Sequence, residues 1–165
     1  MPEIVPLARH HDRTRFDCGV PELNSFLKAT ARQHGDKGIS RTFVLSDQEK
    51  PETILGYFTL TLCEVRTEYL PATYAKKYPQ HGLPAVRLAR LAVSRKYQRK
   101  GYGGLLLAAA LAEAKRLGLT QLTTEASAFS YGLFLRYGFE LTGLESVERG
   151  GVGFIRYRLH CRLPS

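Results

Sequence analysis

The alternation of apolar and polar residues along the chain predicts several strands and fewer helices. Residues 41–46 and 54–65 are rich in β-branched and aromatic side chains, and a polar stretch separates them. This arrangement predicts a β-hairpin. The remaining strand predictions rest on shorter alternating segments, at residues 4–7, 85–93, 119–125, 139–144 and 152–162.

Helical spacing of apolar residues appears in two longer segments, 21–34 and 103–117. Pro21 suits the first turn of the earlier helix, and Gly118 suits the position that ends the later one. Residues 71–78 and 127–137 predict shorter helices. Leaving the short 71–78 helix aside, the order β-α-β-β-β-α-β-α-β-β predicts an α/β (α+β) fold, in which helices pack on a mixed sheet.

In the last predicted strand, alternate residues differ clearly in polarity. Ile155, Tyr157, Leu159 and Cys161 occupy one set of positions, and Arg156, Arg158, His160 and Arg162 occupy the other. Because successive side chains of a strand point to opposite faces, one face is expected in the core and the other is expected to be a basic surface.

Length and composition favour one globular domain spanning residues 1–165. No segment approaches the roughly 20 apolar residues that cross a bilayer, and the N-terminus has no secretion-signal pattern. The three widely spaced cysteines suit reduced thiols, and the five scattered histidines suggest no metal site. A cytoplasmic protein without membrane contact is therefore expected.

Positive charge is concentrated in the middle of the chain. The formal net charge is +9, and residues 69–112 contain eight Lys or Arg and no Asp or Glu. This asymmetry favours a polyanionic partner such as a nucleotide or a nucleic acid. A solvated basic face that only maintains solubility is the alternative.

A glycine-rich turn lies between the predicted strand 85–93 and the helix 103–117. Glycines let the backbone turn sharply beside an anion, and the first amides of a helix attract phosphate. A P-loop is excluded because Leu105 follows Gly104, and a dinucleotide fold expects the glycines after the first strand. The turn therefore predicts a diphosphate cradle, formed by Gln98, Arg99, Lys100, Gly101, Tyr102, Gly103 and Gly104.

Two ordered motifs resemble the GNAT N-acetyltransferase superfamily. The first runs from the segment RLARLAV at 87–93 through QRKGYG at 98–103, and the second is LFLRYGFE at 133–140. The resemblance covers nearly the whole chain. It implies a GNAT fold with a mostly antiparallel sheet splayed at its central strand, helices on both faces, and acetyl-CoA as cosubstrate.

The opening FDCG at 16–19, with LNSFL at 23–27 and LGYFTL at 55–60, is similar to the GNAT toxins of bacterial toxin–antitoxin pairs. That resemblance implies acetylation of the α-amine of aminoacyl-tRNA, a ribbon-helix-helix antitoxin as partner, and a homodimer. The basic residues expected to contact tRNA phosphates are Lys76, Lys77, Arg87, Arg90, Arg156 and Arg158.

By the same resemblance, the main chain at Leu91, Ala92 and Val93 holds the pantetheine arm and polarises the thioester carbonyl. Leu91 and Val93 also suit core packing. The family's proton-donating tyrosine falls at Phe134, which has no hydroxyl. Three explanations follow: a Tyr-to-Phe substitution made to disarm a toxin, proton donation by Tyr131, or slow catalysis by positioning alone.

Two further functions stay open. One is an N-acetyltransferase that modifies a small amine or a protein N-terminus. The other is a non-catalytic acyl-CoA-binding module, which the missing hydroxyl at Phe134 keeps under consideration. Glu125 is a candidate base near the amine, although a carboxylate at a strand end is commonly only solvated.

Overall fold

The structure is a computed structural model that describes residues 2–65, 83–126 and 130–163. The strands of the described residues are β1 Pro2–Pro6, β2 Arg41–Asp47, β3 Ile54–Val65, β4 Leu83–Val93, β5 Gln121–Ala126, β6 Glu140–Arg149 and β7 Val152–Arg162. These seven strands form a mixed sheet in the order β1-β2-β3-β4-β5-β7-β6.

The helical segments of the described residues follow the predicted order. They are α1 Pro21–Ser25, a π-helical turn Phe26–Thr30, α2 Ala31–Asp36, a 3-10 turn Arg95–Tyr97, α3 Tyr102–Arg116 and α4 Tyr131–Arg136. The predicted helix 71–78 lies outside the described residues, as do positions 127–129 of the predicted helix 127–137. None of the described helices is long and apolar enough to span a membrane.

Strand pairing confirms the predicted mixed sheet. β1 with β2 and β2 with β3 are antiparallel, and so are β5 with β7 and β6 with β7. β4 and β5 are parallel where Val86–Leu88 pair with Leu122–Thr124, and β4 continues five residues beyond that pairing. At the β6–β7 turn Gly150 and Gly151 both have positive φ, which glycine adopts at little cost.

The described chain divides into two compact units, each built from two segments. The first unit comprises Met1–Thr61 and Ala89–Ala110, and the second comprises Leu62–Leu88 and Leu111–Ser165. The expectation of one domain across residues 1–165 stays a prediction.

Aromatic side chains form much of the core of the first unit. Tyr57 is fully buried, and its ring contacts Phe16 edge-to-face and Phe26 in a stacked arrangement. The Tyr57 hydroxyl donates a 2.7 Å hydrogen bond to the Leu23 carbonyl. Because that buried hydroxyl has a partner, the ring contributes its apolar surface without an unsatisfied polar group.

The π-helical turn widens the first helical segment at Phe26–Thr30. Its signature is the hydrogen bond from the Ala31 amide to the Phe26 carbonyl, five residues earlier. Arg13 donates a 3.1 Å hydrogen bond to the Lys28 carbonyl in the same turn. Side chains from outside the helix therefore satisfy carbonyl groups along it.

The predicted polarity of the last strand is wrong near its C-terminal end. Leu159, His160 and Cys161 are consecutive in β7 and all buried, so both faces of the strand are covered there. The His160 ring is hydrogen-bonded to the buried amide of Gln121, and burial lowers its pKa to about 4. Ile155 departs from the prediction as well, since 51% of it is exposed.

Candidate functional site

The predicted cradle, residues 98–104, has the backbone shape expected of an anion site. Arg99 has φ of 65° and Gly101 has φ of 81°, and Arg99 is the one non-glycine residue with positive φ in the described part of the chain. The 15-residue helix α3 begins at the next residue, Tyr102. A left-handed turn before a helix turns backbone amides toward the same point, which is a recurrent way to bind an anion.

The first turn of α3 leaves amides available for a ligand. The Leu105 amide donates to the Gly101 carbonyl at 3.2 Å, so the amides of residues 102–104 precede the first bond of the helix. A Cβ placed at Gly101 would meet no atom within 4 Å, so the space beside this backbone is open. The positive end of the helix dipole adds to the attraction for phosphate.

Cationic side chains surround the cradle. Lys96, Arg99 and Lys100 are exposed, and among the described residues they form no ion pair with a carboxylate. The Lys100 ammonium lies 5.8 Å from the centre of the Tyr97 ring, within range of a cation–π interaction. Open backbone, a helix N-terminus and basic side chains together fit the diphosphate of acetyl-CoA.

The end of β4 leads directly into the cradle. Ala92 is buried, and Leu91 and Val93 are half-buried. A Cβ added at Gly56 of β3 would lie 2.8 Å from the Ala92 carbonyl oxygen and 2.8 Å from Cδ1 of Leu106. Gly56 therefore allows β3, β4 and α3 to approach closely, which accounts for the glycine in the LGYFTL segment.

The segment between β4 and the cradle is tied to the N-terminal FDCG motif. The Arg95 amide donates to the Asp17 carbonyl at 2.8 Å, and the Gln98 side chain donates to the Cys18 carbonyl at 3.3 Å. Sequence reasoning missed these contacts, since the partners are about 80 residues apart. The Asp-x-Gly spacing of 17–19 is a signal for an Asx turn, but it does not identify a distant partner.

Beside this segment, and within the first unit, lies a cavity of about 550 Å³. Its walls carry both acidic and basic side chains, and Phe16 and Ile54 form part of its apolar surface. The charged lining residues are Asp12, Arg15, Asp17, Lys50, Glu52, Arg95 and Lys96.

In the second unit, helix α4 carries both residues considered for proton donation. Phe134 lies at the family's tyrosine position, and Tyr131 is the alternative donor. Phe134 is buried, and its ring meets Phe139 edge-to-face with centroids 5.2 Å apart. Tyr131 is half-buried and stacks on Tyr157 with centroids 4.5 Å apart. Phe134 therefore contributes to the packing of the second unit. Stacking on Tyr157 holds the ring that carries the Tyr131 hydroxyl.

Two arginines predicted to contact tRNA, Arg87 and Arg156, form ion pairs with carboxylates. A guanidinium nitrogen of Arg87 lies 3.3 Å from a carboxylate oxygen of Glu125, near the end of β5. A guanidinium nitrogen of Arg156 lies 2.7 Å from the other Glu125 oxygen and 3.9 Å from a carboxylate oxygen of Glu145. These pairs balance part of the positive charge. They also place an arginine against each carboxylate oxygen of Glu125.

The other predicted tRNA contacts differ in setting. The Arg90 guanidinium lies 3.7 Å from the centre of the Phe26 ring in the first unit. Arg158 is half-buried, and one of its guanidinium nitrogens would lie 2.9 Å from a Cβ at Gly143. Lys76 and Lys77 lie outside the described residues.

Neither a metal centre nor a thiol nucleophile is indicated in the ranges that the structure describes. No group of three potential metal-ligating side chains occurs there. Cys18 and Cys161 are buried and Cys63 is half-buried, and burial raises the pKa of all three thiols. Raised thiol pKa values mean little thiolate at neutral pH, so these groups are poor nucleophiles.

Comparison with known proteins identifies the class to which this fold and site belong. Residues 30–161 match the acetyltransferase (GNAT) domain. The chain belongs to the GNAT family and is an N-acetyltransferase. This confirms the predicted fold class and enzyme class, and it confirms acetyl-CoA as cosubstrate at the level of the family.

Two curated relatives are toxins. A probable toxin TacT of Sinorhizobium fredii is 29% identical over 106 residues, which are 63% of this chain and 58% of that protein. A tRNA-acetylating toxin of Mycobacterium tuberculosis is 29% identical over 140 residues, covering 79% of this chain and 80% of that protein. This chain therefore spans little more than half of the first relative and most of the second.

Solved structures of similar proteins point to the same group. A Tyr-to-Phe mutant of the toxin KacT is 30% identical, with a TM-score of 0.77 and coverage of 94% of both chains. AtaT in complex with acetyl-methionyl-tRNAfMet is 27% identical, with a TM-score of 0.78 and the same coverage. AtaTR bound with acetyl-CoA is 27% identical, with a TM-score of 0.73, covering 98% of this chain and 94% of that one.

Proposed function

We propose that this protein is a toxin that transfers the acetyl group of acetyl-CoA to the α-amine of aminoacyl-tRNA and thereby blocks translation in the cytoplasm. The observation that carries the proposal is the left-handed turn at Arg99 and Gly101 directly before α3. That backbone, with the cationic side chains around it, suits a diphosphate. The similarity to tRNA-acetylating toxins supplies the acceptor.

In this proposal each part of the site has a separate task. The amides of Gly101, Tyr102, Gly103 and Gly104, with Gln98, Arg99 and Lys100, hold the diphosphate. The main chain at Leu91, Ala92 and Val93 holds the pantetheine arm. Acetyl-CoA supplies the activated acetyl group, and the protein's contribution is to position it in a site where backbone dipoles favour developing negative charge.

Proton delivery to the departing thiolate is where this chain is deficient. Phe134 occupies the position at which the family carries tyrosine, and its buried ring has no proton to give. We propose that Phe134 is a Tyr-to-Phe replacement that slows the reaction without altering the packing of α4. KacT and AtaT have each been solved with a Tyr-to-Phe mutation of their own, which supports this proposal.

The acceptor is polyanionic, and the basic residues of both units suit it. Arg90 of the first unit, and Arg87, Arg156 and Arg158 of the second, are the described candidates, with Lys76 and Lys77 beyond the described residues. Because Arg87 and Arg156 share Glu125, each contributes less to phosphate binding than it would without that carboxylate.

A toxin of this kind needs a neutralising partner. AtaT is known bound to the C-terminus of its antitoxin AtaR, in a structure 26% identical to this chain with a TM-score of 0.71, covering 94% of this chain and 92% of that one. We propose a ribbon-helix-helix antitoxin for the present protein and a homodimer as its own assembly.

The test uses the protein and its Phe134→Tyr variant with radiolabelled acetyl-CoA and charged tRNA. Deacylated tRNA, free amino acids and spermidine serve as competing acceptors. Label that stays with charged tRNA, and is released by alkali as N-acetyl amino acid, would support the proposal. Label only on small amines would contradict the tRNA assignment in favour of a small-amine acetyltransferase. Tight cofactor binding without turnover by either protein would favour an acyl-CoA-binding module.

A further inference from the structure

The FDCG motif and the asparagine that follows it are not used by the proposed chemistry. From their contacts we propose that Asp17 and Asn24 are positioning residues, which act through Gln98 to hold the cradle in its binding shape. This inference rests on the proposed function, because it assumes that the cradle binds acetyl-CoA. The hydrogen-bonded group of Asp17, Asn24 and Gln98 is called the brace below.

On one side of the brace, hydrogen bonds link Asp17 and Asn24 to each other and to the backbone of residues 18 and 19. Oδ1 of Asp17 accepts from the Gly19 amide at 2.9 Å and from Nδ2 of Asn24 at 3.0 Å. In return, Oδ1 of Asn24 accepts from the Cys18 amide at 2.9 Å. Both ends of the asparagine amide are therefore used, and residues 17–19 are held in one conformation.

The other side of the brace reaches the cradle. The Gln98 side-chain amide donates to the Cys18 carbonyl at 3.3 Å and to the Val93 carbonyl at 3.0 Å. It thus ties the first cradle residue both to the end of β4 and to the 17–19 turn. The Arg95 amide adds a 2.8 Å hydrogen bond to the Asp17 carbonyl.

Backbone strain explains why the cradle needs such support. Arg99 follows Gln98 directly and has φ of 65°, a conformation that is strained for a residue with a side chain. A strained loop keeps its shape only if its surroundings enforce it. Without the brace the loop relaxes, and acetyl-CoA must then restore the shape at the expense of affinity.

The brace depends on hydrogen bonds more than on charge. The ion pair between Asp17 and Arg95 spans 3.8 Å, and its side chains are 56% and 68% exposed. Exposed ion pairs of this kind contribute little to stability. An asparagine at position 17 keeps the acceptor oxygen and is therefore expected to restore most of the function that alanine removes.

Calorimetric titration with acetyl-CoA tests the brace in the 165-residue chain. Asp17→Ala is expected to raise Kd about tenfold, whereas Asp17→Asn stays within about threefold of the unaltered protein. The matched control is Asp47→Ala, which removes a similar 2.9 Å bond to the Glu49 amide at the end of β2. This control is expected to leave Kd unchanged.

Steady-state kinetics separate positioning from general damage. Asp17→Ala should raise KM for acetyl-CoA and leave kcat at saturation within about twofold. Gln98→Ala should also weaken binding, and the double variant should lose little more than either single variant, because the residues act as one unit. Circular dichroism confirms that each variant is folded; if Asp17→Ala is not, Asn24→Ala takes its place.

The possible outcomes distinguish the two proposals. If the unaltered protein binds acetyl-CoA and Asp17→Ala binds it equally well, the brace is wrong and the cradle stands. Losses that multiply in the double variant would also overturn the brace. If the unaltered protein shows no binding, the proposed function fails and the brace fails with it.

Discussion

The cradle and helix α4 present two contrasting ways of building a functional region. In the proposed function the cradle acts through its main chain: the left-handed turn at Arg99 and Gly101 and the start of α3 form the site, and side chains add positive charge. In the same proposal helix α4 acts through a side chain, because a hydroxyl at position 134 is the proton donor that Phe134 lacks. A backbone site tolerates many substitutions outside its glycines, whereas a side-chain site can lose its chemistry while its packing survives.

Charge separates the two regions as well. Lys96, Arg99 and Lys100 at the cradle form no ion pair among the described residues, so their charge is available to an anion. In the second unit Glu125 accepts two arginines. We therefore expect the affinity for acetyl-CoA to depend on the cradle, and the rate of acetyl transfer to depend on helix α4.

The largest expected effect comes from restoring the hydroxyl of α4. Phe134→Tyr should raise kcat about 10²–10⁴-fold, the usual contribution of a positioned proton donor, and should leave Kd for acetyl-CoA within about twofold. Acetyl transfer measured at saturating acetyl-CoA checks this. Tyr131→Phe in the same background is the control, and a large loss there would assign proton donation to Tyr131.

A glycine substitution in the cradle should have the next largest effect. Gly101→Val forces a β-branched side chain into φ of 81° and should raise Kd for acetyl-CoA about 100-fold, which corresponds to about 2.7 kcal/mol. Gly38→Val is the matched control, because Gly38 has φ of 71° and equally open space beside it. Calorimetry on both variants separates the effect of backbone strain in general from damage to the cradle. Equal Kd values for the two variants would contradict the assignment of residues 98–104 as the acetyl-CoA cradle.

Acid should weaken the second unit through His160. Burial lowers the pKa of His160 to about 4, whereas an unfolded histidine has a pKa near 6.5. The unfolded state therefore binds more protons between these values, and stability is full above pH 6.5 and lost as the pH falls toward 4. From pH 7.5 to 5.0 the expected loss is about 2 kcal/mol.

Thermal unfolding at the two pH values tests this contribution. A His160→Gln variant should show a smaller fall in Tm than the unaltered protein, by about 4–8 °C. His34→Gln, which replaces a partly exposed histidine of the first unit, is the matched control. The same pH dependence in all three proteins would rule out His160 as its source.

The smallest expected effect tests the balance of charge around Glu125. Glu125→Gln removes the carboxylate shared by Arg87 and Arg156 and should tighten binding of charged tRNA about threefold, with a steeper dependence on salt. Glu113→Gln changes the net charge equally by releasing Arg116 of α3, and should alter affinity less. Filter binding across a salt series measures both, and equal effects would mean that only net charge matters.

Local pattern was sufficient to predict most of the fold and the sharp turn before α3. Alternation and helical spacing predicted the strands and helices because these depend on neighbouring residues, and the glycine-rich segment predicted the turn because a turn is a local backbone conformation. The role of that turn as an anion site stays a prediction. The sequence did not predict contacts between distant segments. The brace joins residue 18 to residue 98, and Glu125 receives arginines from β4 and β7. The burial of His160 depends in the same way on its partner Gln121.

The central claim is that the amides of residues 101–104 grip the diphosphate of acetyl-CoA. Amide NMR of nitrogen-15-labelled protein, titrated with acetyl-CoA, tests it residue by residue. We predict that the resonances of Gly101, Tyr102, Gly103 and Gly104 show the largest shifts and saturate together. A titration in which these four amides stay unmoved, whether other residues shift or none does, would contradict the account.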